Sequence, residues 1–292
     1  MNKNVITVYI NNNQSIEEFS WLYKTWCMWD ISKTWDIIAF TDPCTIEAIT
    51  KSYSNIDCLK IIELEATQSC SSITIFESEE NAKLLLGYDF IYKTSCDTFL
   101  TKEFSAFKPW KDKIYVGIGL HANQGAVGGL IREKEELLNK ALELKWHGHT
   151  HIGGGLIGHS SIVFKITKMQ YTINNWLLKF SFTEGVGVFP NWNTDSAIDY
   201  AFEMAINHIA SPLSLHIGSL DSWCSSNELT SLDLSIKAWP NNEILFNKKK
   251  WFAGELPSIG FSKLPITAGE YCLMIADSNV DQLVNMAIRE LN

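Results

Sequence analysis

Short apolar runs rich in β-branched residues recur along the chain, and polar stretches with helical spacing separate them. Such uninterrupted runs are typical of strands that are buried on both faces of a sheet. We predict strands at Val5–Ile10, Trp35–Asp42, Cys58–Leu64, the first part of Gly87–Leu100, Lys113–Leu120 and Leu213–Leu220. We expect the charged segment Arg132–Lys145 to form a surface helix and the C-terminal tail from Lys237 to Glu270 to be rich in loops. We predict the other helices at Ser15–Lys33, 45–53, 78–86, 161–180, 196–209 and 277–291. This alternation with short connections predicts an α/β fold with a mostly parallel, doubly wound sheet.

The first helix has a recognisable start and an aromatic face. Ser15 has the chemistry of an N-cap, and Glu18 stands at the capping-box position three residues later. Trp21, Trp26 and Trp29 recur at helical spacing, which indicates a core face rather than a sugar-stacking platform. We therefore predict that this helix packs its tryptophans into the protein core.

One carboxylate follows the apolar run that begins at Gly87. Asp97 is set among small polar residues after this predicted strand. Open α/β sheets bind ligands in the crevice outside the carboxyl ends of their strands, so Asp97 is a candidate ligand-binding residue. Asp is also a common turn and cap residue, and the sequence leaves that alternative open.

Three histidines alternate along the segment Trp146–His151. If the segment is extended, His147, His149 and His151 share one face, and three imidazoles on one face are a possible zinc site. The alternative is a polar strand edge that leads into a turn at Gly153–Gly155. Glycines at such a turn allow the backbone to approach a ligand closely.

Composition and charge restrict the class of protein. The chain has 292 residues and a formal net charge of −9, which argues against nucleic acid or an anionic membrane as the main partner. Its seven cysteines are odd in number and unpaired by spacing, which indicates reduced thiols and a cytoplasmic setting. We find neither an apolar run of membrane-span length nor a signal peptide, so we expect no membrane anchor in this chain.

Several segments, in order along the chain, resemble one family. Lys93–Thr101 reads KTSCDTFLT and is similar to the K-T-D-C-D-x-F-L-T version of the DxD motif. That version belongs to nucleotide-sugar glycosyltransferase-like proteins of the GT-A fold, found in algae, plants and large DNA viruses. The other similar segments are His151–Gly158, Pro190–Trp192, Glu203–His208 and Phe261–Tyr271. The resemblance covers most of the chain and implies one GT-A-like domain, with a nucleotide-binding half at 1–110 and an acceptor-side half at 111–292.

The resemblance implies a site for a nucleoside-diphosphate sugar, with UDP as the expected nucleotide. The donor-binding residues that it implies are Thr41, Asp42, Lys93, Ser95, Asp97, Gly153, Gly154 and Lys237. Thr41 and Asp42 follow an early strand, where the family binds the base and ribose, although capping the helix at 45–53 is the alternative. Asp97 is the implied ligand of Mn²⁺ or Mg²⁺.

The chain departs from the family's pattern at two of these positions. Ser95 stands in place of the first acidic residue of the motif. Lys237 lies in a segment where the family is rich in histidine, and a lysine there is able to replace metal charge as a point cation. With only two arginines in the chain, a diphosphate must be bound by lysines, backbone amides, a metal or Arg132.

The resemblance also implies an acceptor site for a glycan. The candidate bases are Asp195, favoured as the N-cap of the helix at 196–209, and then Glu203, which helical spacing places on a solvated face. His149 and His151 are the other candidate bases and are also candidate acceptor contacts, and Trp192 either stacks on a sugar or is buried. Sequence does not show which of them lies within about 3 Å of a hydroxyl, as a base must.

Three functions remain in competition at this point. The first is a glycosyltransferase, whose viral and algal resemblance suggests a virion glycan as the acceptor. The second is a metal-dependent hydrolase built on His147, His149 and His151. The third is a non-catalytic GT-A-like protein that binds a nucleotide or glycan, suggested by Ser95 and Lys237.

Overall fold

Strands and helices alternate along most of the chain in the computed structural model. It describes residues 4–53, 56–64, 72–119, 125–182, 192–224, 228–230, 232–238, 246–256, 258, 260–261 and 263–291, with the backbone alone at 125–130, 223 and 291. The strands are β1 Asn4–Ile10, β2 Trp35–Thr41, β3 Leu59–Glu63, β4 Phe90–Lys93, β5 Thr98–Leu100, β6 Ile114–Ile118, β7 Ile152–His159, β8 Leu215–Leu220, β9 Ser222–Trp223 and β10 Ser235–Lys237. The helices are α1 Asn13–Met28, α2 Ile46–Tyr53, α3 Glu79–Leu85, α4 Lys102–Ala106, α5 Gly125–Ala141, α6 Ser160–Phe180, α7 Ala197–Ile209, α8 Lys248–Phe252, α9 Ala268–Asp277 and α10 Val280–Leu291.

The strands form a mostly parallel central sheet and a small second sheet. The order is β3-β2-β1-β4-β7-β6-β8 in the larger sheet and β5-β10-β9 in the smaller one. β1, β2 and β3 are parallel, whereas β6 and β7 are antiparallel. Helices flank the central sheet, so the prediction of an α/β fold with a mostly parallel sheet is confirmed.

The chain divides into two compact units that alternate along the sequence. Unit 1 contains Met1–Ala66, Lys93–Lys108 and Gly218–Asn292, and unit 2 contains Thr67–Tyr92 and Pro109–Ile217. The strands β1, β2 and β3 belong to unit 1, and the antiparallel pair of β6 and β7 belongs to unit 2.

The core of unit 1 is built on α1. Its tryptophans are buried as predicted, and the ring of Trp21 stacks on that of Phe99 at a centroid distance of 5.3 Å. The predicted N-cap is wrong by three residues, because Asn12 caps the helix. The Asn12 side chain accepts the Ser15 backbone N–H at 2.8 Å, and the Ser15 hydroxyl accepts the Asn12 N–H at 3.0 Å. Ser15 therefore supplies the return bond of the capping box, the role that the sequence assigned to Glu18.

In unit 2, two glycines allow β6 and β7 to lie close together. A Cβ atom on Gly153 would lie 2.7 Å from the Ile118 carbonyl oxygen, and one on Gly119 would meet the backbone of Ile152. The predicted turn at Gly153–Gly155 is wrong, because these residues lie inside β7. Close strand pairing accounts for the glycine at 153, while the sugar contacts predicted for Gly153 and Gly154 stay predictions.

Other predicted elements differ from the structure in extent. The charged helix predicted at Arg132–Lys145 is α5, which begins at Gly125 and ends at Ala141. It is not only a surface helix, because Glu135 and Asn139 are buried. A single terminal helix was predicted, but α9 and α10 are separate and α9 fills part of the tail predicted to be loops. None of the helices in the described part of the chain has the length and apolar character that crossing a membrane requires.

Candidate functional site

The carboxyl ends of β1, β2 and β3 lie at one edge of the sheet in unit 1. Their parallel registers pair Ile10 with Thr41 and Thr41 with Glu63. The loop that follows β4 reaches the same edge, because the Cys96 thiol donates to the Tyr9 carbonyl oxygen at 3.0 Å. Ligands of open parallel sheets bind outside such strand ends, so this edge is a candidate ligand site.

Asp97 lies in the loop between β4 and β5, and it is only 6% exposed. The Ser95 hydroxyl donates to its Oδ1 at 2.5 Å, and the Lys248 ammonium donates to its Oδ2 at 2.8 Å. Ser95, which replaces the first acidic residue of the motif, therefore contacts the second one. Both carboxylate oxygens of Asp97 are engaged by donors from this chain.

Lys248 joins two buried carboxylates in unit 1. It begins α8, whose N-cap Asn247 accepts the Lys250 backbone N–H at 3.1 Å. Its ammonium lies 2.8 Å from Asp97 and 3.0 Å from Glu18 of α1. The exposed fraction is 18% for the Lys248 side chain and at most 10% for the two carboxylates. Solvent therefore screens these ion pairs less than it screens surface pairs.

Lys237 brings a second positive charge towards Asp97. It pairs with Thr98 across β10 and β5, and the next residue, Ala238, donates its N–H to the Asp97 carbonyl oxygen at 3.0 Å. Burial raises the pKa of Asp97, but the charges of Lys237 and Lys248 and the bonds to its carboxylate outweigh burial and lower the pKa below its ordinary value. Burial lowers the pKa of Lys248, but its two carboxylate partners raise it above the ordinary value. Both groups are therefore charged at neutral pH.

We name Glu18, Asp97, Lys237 and Lys248 the lysine–carboxylate cluster, and its formal charges cancel. Mn²⁺ and Mg²⁺ prefer several hard oxygen ligands. Here an ammonium lies between the two carboxylates, and no three His, Cys, Asp or Glu side chains of the described residues are grouped so that they could hold a metal. The residues present therefore do not fit the divalent cation that the sequence predicted at Asp97.

The other predicted donor residues of unit 1 differ in exposure. The Asp42 carboxylate is partly exposed and accepts the Tyr9 hydroxyl at 2.7 Å. Thr41 is buried, and its hydroxyl contacts that of Thr45. Lys93 ends β4 and is 5% exposed. Asp42 is therefore the most accessible of the three, and the nucleoside contacts predicted for them stay predictions.

Unit 2 contains a buried pair of carboxyl groups. Glu135 of α5 and Glu203 of α7 are 2% and 6% exposed, and Glu203 also accepts the Ile152 backbone N–H at 3.2 Å. Burial, followed by the charge of Glu203 and the hydrogen bond to it, raises the pKa of Glu135 well above its ordinary value. The two carboxyl groups are therefore hydrogen-bonded, and in the folded protein the pair shares a proton. The prediction of a solvated face for Glu203 is wrong, because α5 covers this carboxylate with a partner.

The histidine segment is irregular and is held by one asparagine. The Asn207 side chain accepts the His149 N–H and donates to the His149 carbonyl oxygen, both at 2.8 Å. The segment precedes β7, so the predicted strand edge is wrong. His147 and His149 have ring centroids 6.1 Å apart, and the described residues contain no group of metal ligands here. The predicted zinc site, and the hydrolase built on it, therefore lack a ligand set.

Burial governs the ionisation of two of these histidines. Burial lowers the pKa of His149 and that of His151 below the ordinary value. Among the described residues, the Nε2 atom of His149 and the Nδ1 atom of His151 are buried and have no hydrogen-bond partner. His151 also has a positive φ of 65°, a conformation that non-glycine residues rarely adopt. Their predicted contacts with an acceptor stay predictions.

Trp192 is 8% exposed and belongs to an aromatic stack in unit 2. Its ring lies 4.3 Å from that of Tyr200 at an interplanar angle of 6°, and 5.5 Å from that of Phe182. Its indole N–H donates to the Ser181 hydroxyl at 3.2 Å. These contacts account for Trp192 as a packed residue, and its predicted stacking on a sugar stays a prediction.

Asp195 is exposed in a short 3-10 turn that precedes α7. It is not the predicted N-cap, because the Asn193 side chain caps the turn by accepting the Ser196 N–H at 3.0 Å. Ser196 then leads into α7 without a side-chain cap bond. The exposed carboxylate remains available to solvent, and its predicted catalytic role stays a prediction.

Three residues of these clusters were missed or misassigned in the sequence. Lys248 belongs to a visible basic triplet, Lys248–Lys250, but nothing local distinguishes it from its neighbours. Glu18 was assigned to a helix cap, and Glu135 was assigned to a charged surface helix. Their partners are distant in sequence, and Lys248 and Asp97 are 151 positions apart.

Comparisons with known proteins give a family match and remote likenesses to solved structures. A family model described as a domain of unknown function (DUF7164) matches residues 1–292. The search of curated proteins finds no match. Among solved structures, the chain is similar to the apo structure of the WbbM bifunctional glycosyltransferase and to galactosyltransferase LgtC in complex with donor and acceptor sugar analogues.

Both structural likenesses have 10% identity and a TM-score of 0.49. The match to WbbM covers 100% of this chain and 52% of that structure, so the chain spans about half of its length. The match to LgtC covers 88% of this chain and 97% of that structure. At this level, neither likeness supports an inference about activity.

Proposed function

The chain belongs to the family described as a domain of unknown function (DUF7164), and from its own residues we propose that it is a glycosyltransferase. The proposed reaction transfers a sugar from a nucleoside diphosphate, with UDP as the first nucleotide to test, to a glycan hydroxyl. The observation that carries this proposal is Asp97, fixed by Ser95 and Lys248 in the loop that follows β4. The surrounding segment, Lys93–Thr101, resembles the donor motif of GT-A glycosyltransferases.

The chemistry requires positive charge where the diphosphate leaves. Negative charge develops on the leaving group as the glycosidic bond breaks, and prearranged donors stabilise it most effectively in a site that excludes water. Lys237 and Lys248 are the two cations near Asp97. Since Asp97 and Glu18 already hold the Lys248 ammonium, little further ordering is needed when a donor binds.

A base must accept the proton of the attacking glycan hydroxyl. Asp195 is the proposed base because its carboxylate is exposed and ready to meet an acceptor from solvent. Glu203 is the second candidate, because the charge of its carboxylate is one cause of the raised pKa of Glu135. His149, His151 and the rim of Trp192 are the proposed acceptor contacts. A base contributes typically 10²–10⁴-fold to a rate, so loss of the correct one is easily measured.

A second candidate function is nucleotide or glycan binding without turnover. The substitution of Ser95 for an acidic residue and the ion pair that engages Asp97 both favour it. The two functions share the donor site and differ only in whether sugar is transferred. Measurement of turnover therefore separates them.

The test is release of nucleoside diphosphate from a panel of UDP-, GDP- and CDP-sugars in the presence of glycan acceptors. We expect turnover with the wild-type protein and a decrease of about tenfold or more in Asp97→Asn, because loss of about 1.4 kcal/mol of transition-state stabilisation is tenfold. Asp281→Asn, an exposed aspartate of α10, is the matched control and should turn over normally. Nucleotide binding without turnover would favour the second function, and equal rates in wild type and Asp97→Asn would refute the proposed donor site.

A further inference from the structure

Lys248 occupies the position between two buried carboxylates that a metal ion would otherwise suit. Its Nζ atom lies 2.8 Å from Asp97 and 3.0 Å from Glu18. An ammonium has three N–H groups and no acceptor. In the described part of the chain its partners are these two carboxylates, so one N–H remains to donate to a ligand.

We propose that the Lys248 ammonium is the built-in cation of the diphosphate site, so that a nucleoside diphosphate binds without a divalent metal. This inference rests on the proposed function and concerns the same site. The third N–H of Lys248 donates to a phosphate oxygen, and Lys237 adds the second positive charge. Asp97 and Glu18 act as positioning residues, which hold the ammonium and do not ligate a metal.

The packing of α8 fixes the ammonium in this position. In the same helix, the Trp251 indole donates to the Glu17 carboxylate of α1 at 2.6 Å. Just before the helix, Phe246 is fully buried, and its ring lies 5.3 Å from that of Trp21. α8 is thereby attached to α1 on both sides of Lys248. A lysine anchored in this way presents its charge in one place, whereas Lys249 and Lys250 are exposed.

The electrostatics also disfavour a divalent ion beside Lys248. The two carboxylates are already neutralised by Lys237 and Lys248, and a dication placed between them would lie within a few ångströms of an ammonium of like charge. A metal would therefore have to displace Lys248 before it could use both carboxylates. Removal of the ammonium should open this position to a metal.

The experiment is calorimetric titration of UDP, GDP, CDP and ADP into three proteins, each in EDTA and in Mn²⁺. The proteins are the wild type, Lys248→Ala and the control Lys249→Ala. For the wild type and the control, we expect the same affinity in EDTA as in Mn²⁺. For Lys248→Ala, we expect at least a tenfold loss in EDTA and recovery in Mn²⁺, because Asp97 and Glu18 are then free to hold the ion.

The possible results decide between the built-in cation and the alternatives. Wild-type binding that weakens tenfold or more in EDTA overturns the built-in cation but keeps the proposed function. Lys248→Ala that binds in EDTA as tightly as the wild type overturns it as well. The absence of binding by the wild type in every condition refutes the proposed function itself. The comparison of the wild type in EDTA and in Mn²⁺ needs no variant. If thermal melting shows that Lys248→Ala is unfolded, Lys248→Met, which keeps the apolar part of the side chain, replaces it.

Discussion

Replacement of Glu135 by glutamine should make the protein more stable than the wild type, and this difference in the free energy of unfolding should grow as the pH rises. Glu135 is buried, and burial and then the neighbouring Glu203 carboxylate raise its pKa well above the ordinary value, so the pair shares a proton. A glutamine has nearly the same size, and its amide N–H donates to Glu203 in place of the carboxyl O–H. The variant therefore keeps the hydrogen bond and removes the titrating group.

The magnitude follows from proton linkage. The pKa of Glu135 is raised in the folded protein, whereas in the unfolded chain it is close to its ordinary value of 4.5. Above pH 4.5 and up to the raised pKa, the folded state holds one proton more than the unfolded state, so stability decreases as pH rises. The decrease is about 1.4 kcal/mol per pH unit. Glu135→Gln should therefore gain about 1.4 kcal/mol on the wild type for each pH unit in this window, and it should be close to the wild type near pH 4.5.

The assay is urea unfolding of wild type and Glu135→Gln between pH 5 and pH 8, followed by tryptophan fluorescence. The control is Glu136→Gln, since Glu136 is partly exposed and pairs with Lys140 at 2.9 Å on the helix surface. Exposed pairs of this kind contribute about 0.3–0.5 kcal/mol, so the control should show a small effect at every pH. A stability difference between Glu135→Gln and wild type that is independent of pH, or that decreases with pH, would refute the shared proton.

Two further predictions concern packing in each unit. Gly119→Ala should destabilise the protein by about 1–3 kcal/mol, because the new Cβ meets a backbone carbonyl of β7. Gly260→Ala is the control, because its Cβ would meet no atom of the described residues within 4 Å, and it should change thermal stability little. Tyr271→Phe should lower the free energy of unfolding by about 2–4 kcal/mol. The Tyr271 hydroxyl donates to the Leu100 carbonyl at 2.7 Å and accepts the Trp29 indole N–H at 2.8 Å, and both buried partners would lose this hydrogen bond. Denaturant unfolding measures the loss of unfolding free energy in Gly119→Ala and in Tyr271→Phe. A loss under about 0.5 kcal/mol in either variant would contradict the prediction for that variant.

The sequence pattern predicted the features that depend on residues close together in the chain. The β-branched runs at Val5–Ile10 and Trp35–Asp42 became parallel strands in register, because apolar residues on both faces suit a covered sheet. The burial of Trp21 followed from its helical spacing. The place of Asp97 after a strand was also predicted, because a strand and the polar loop that follows it are adjacent in sequence.

The errors at Glu203 and Lys248 concern contacts between residues that are distant in sequence. Glu203 has the helical spacing of a solvated side chain, but in the fold it is buried and interacts with Glu135 of another helix. Likewise, Lys248 looks like either of its two exposed neighbours until the fold brings Asp97 and Glu18 to it. At Asn193 the error was local, since two residues of similar capping chemistry compete and the upstream one caps the turn.

The most direct test of the account is a crystal structure of the protein with UDP, grown in EDTA. We predict that the diphosphate lies at the carboxyl edge of the strands in unit 1. A phosphate oxygen should lie within about 3 Å of the Lys248 Nζ atom, which is the length of a charge-assisted hydrogen bond. A diphosphate bound elsewhere, or one bound only when Mn²⁺ is added and coordinated to Asp97, would contradict it.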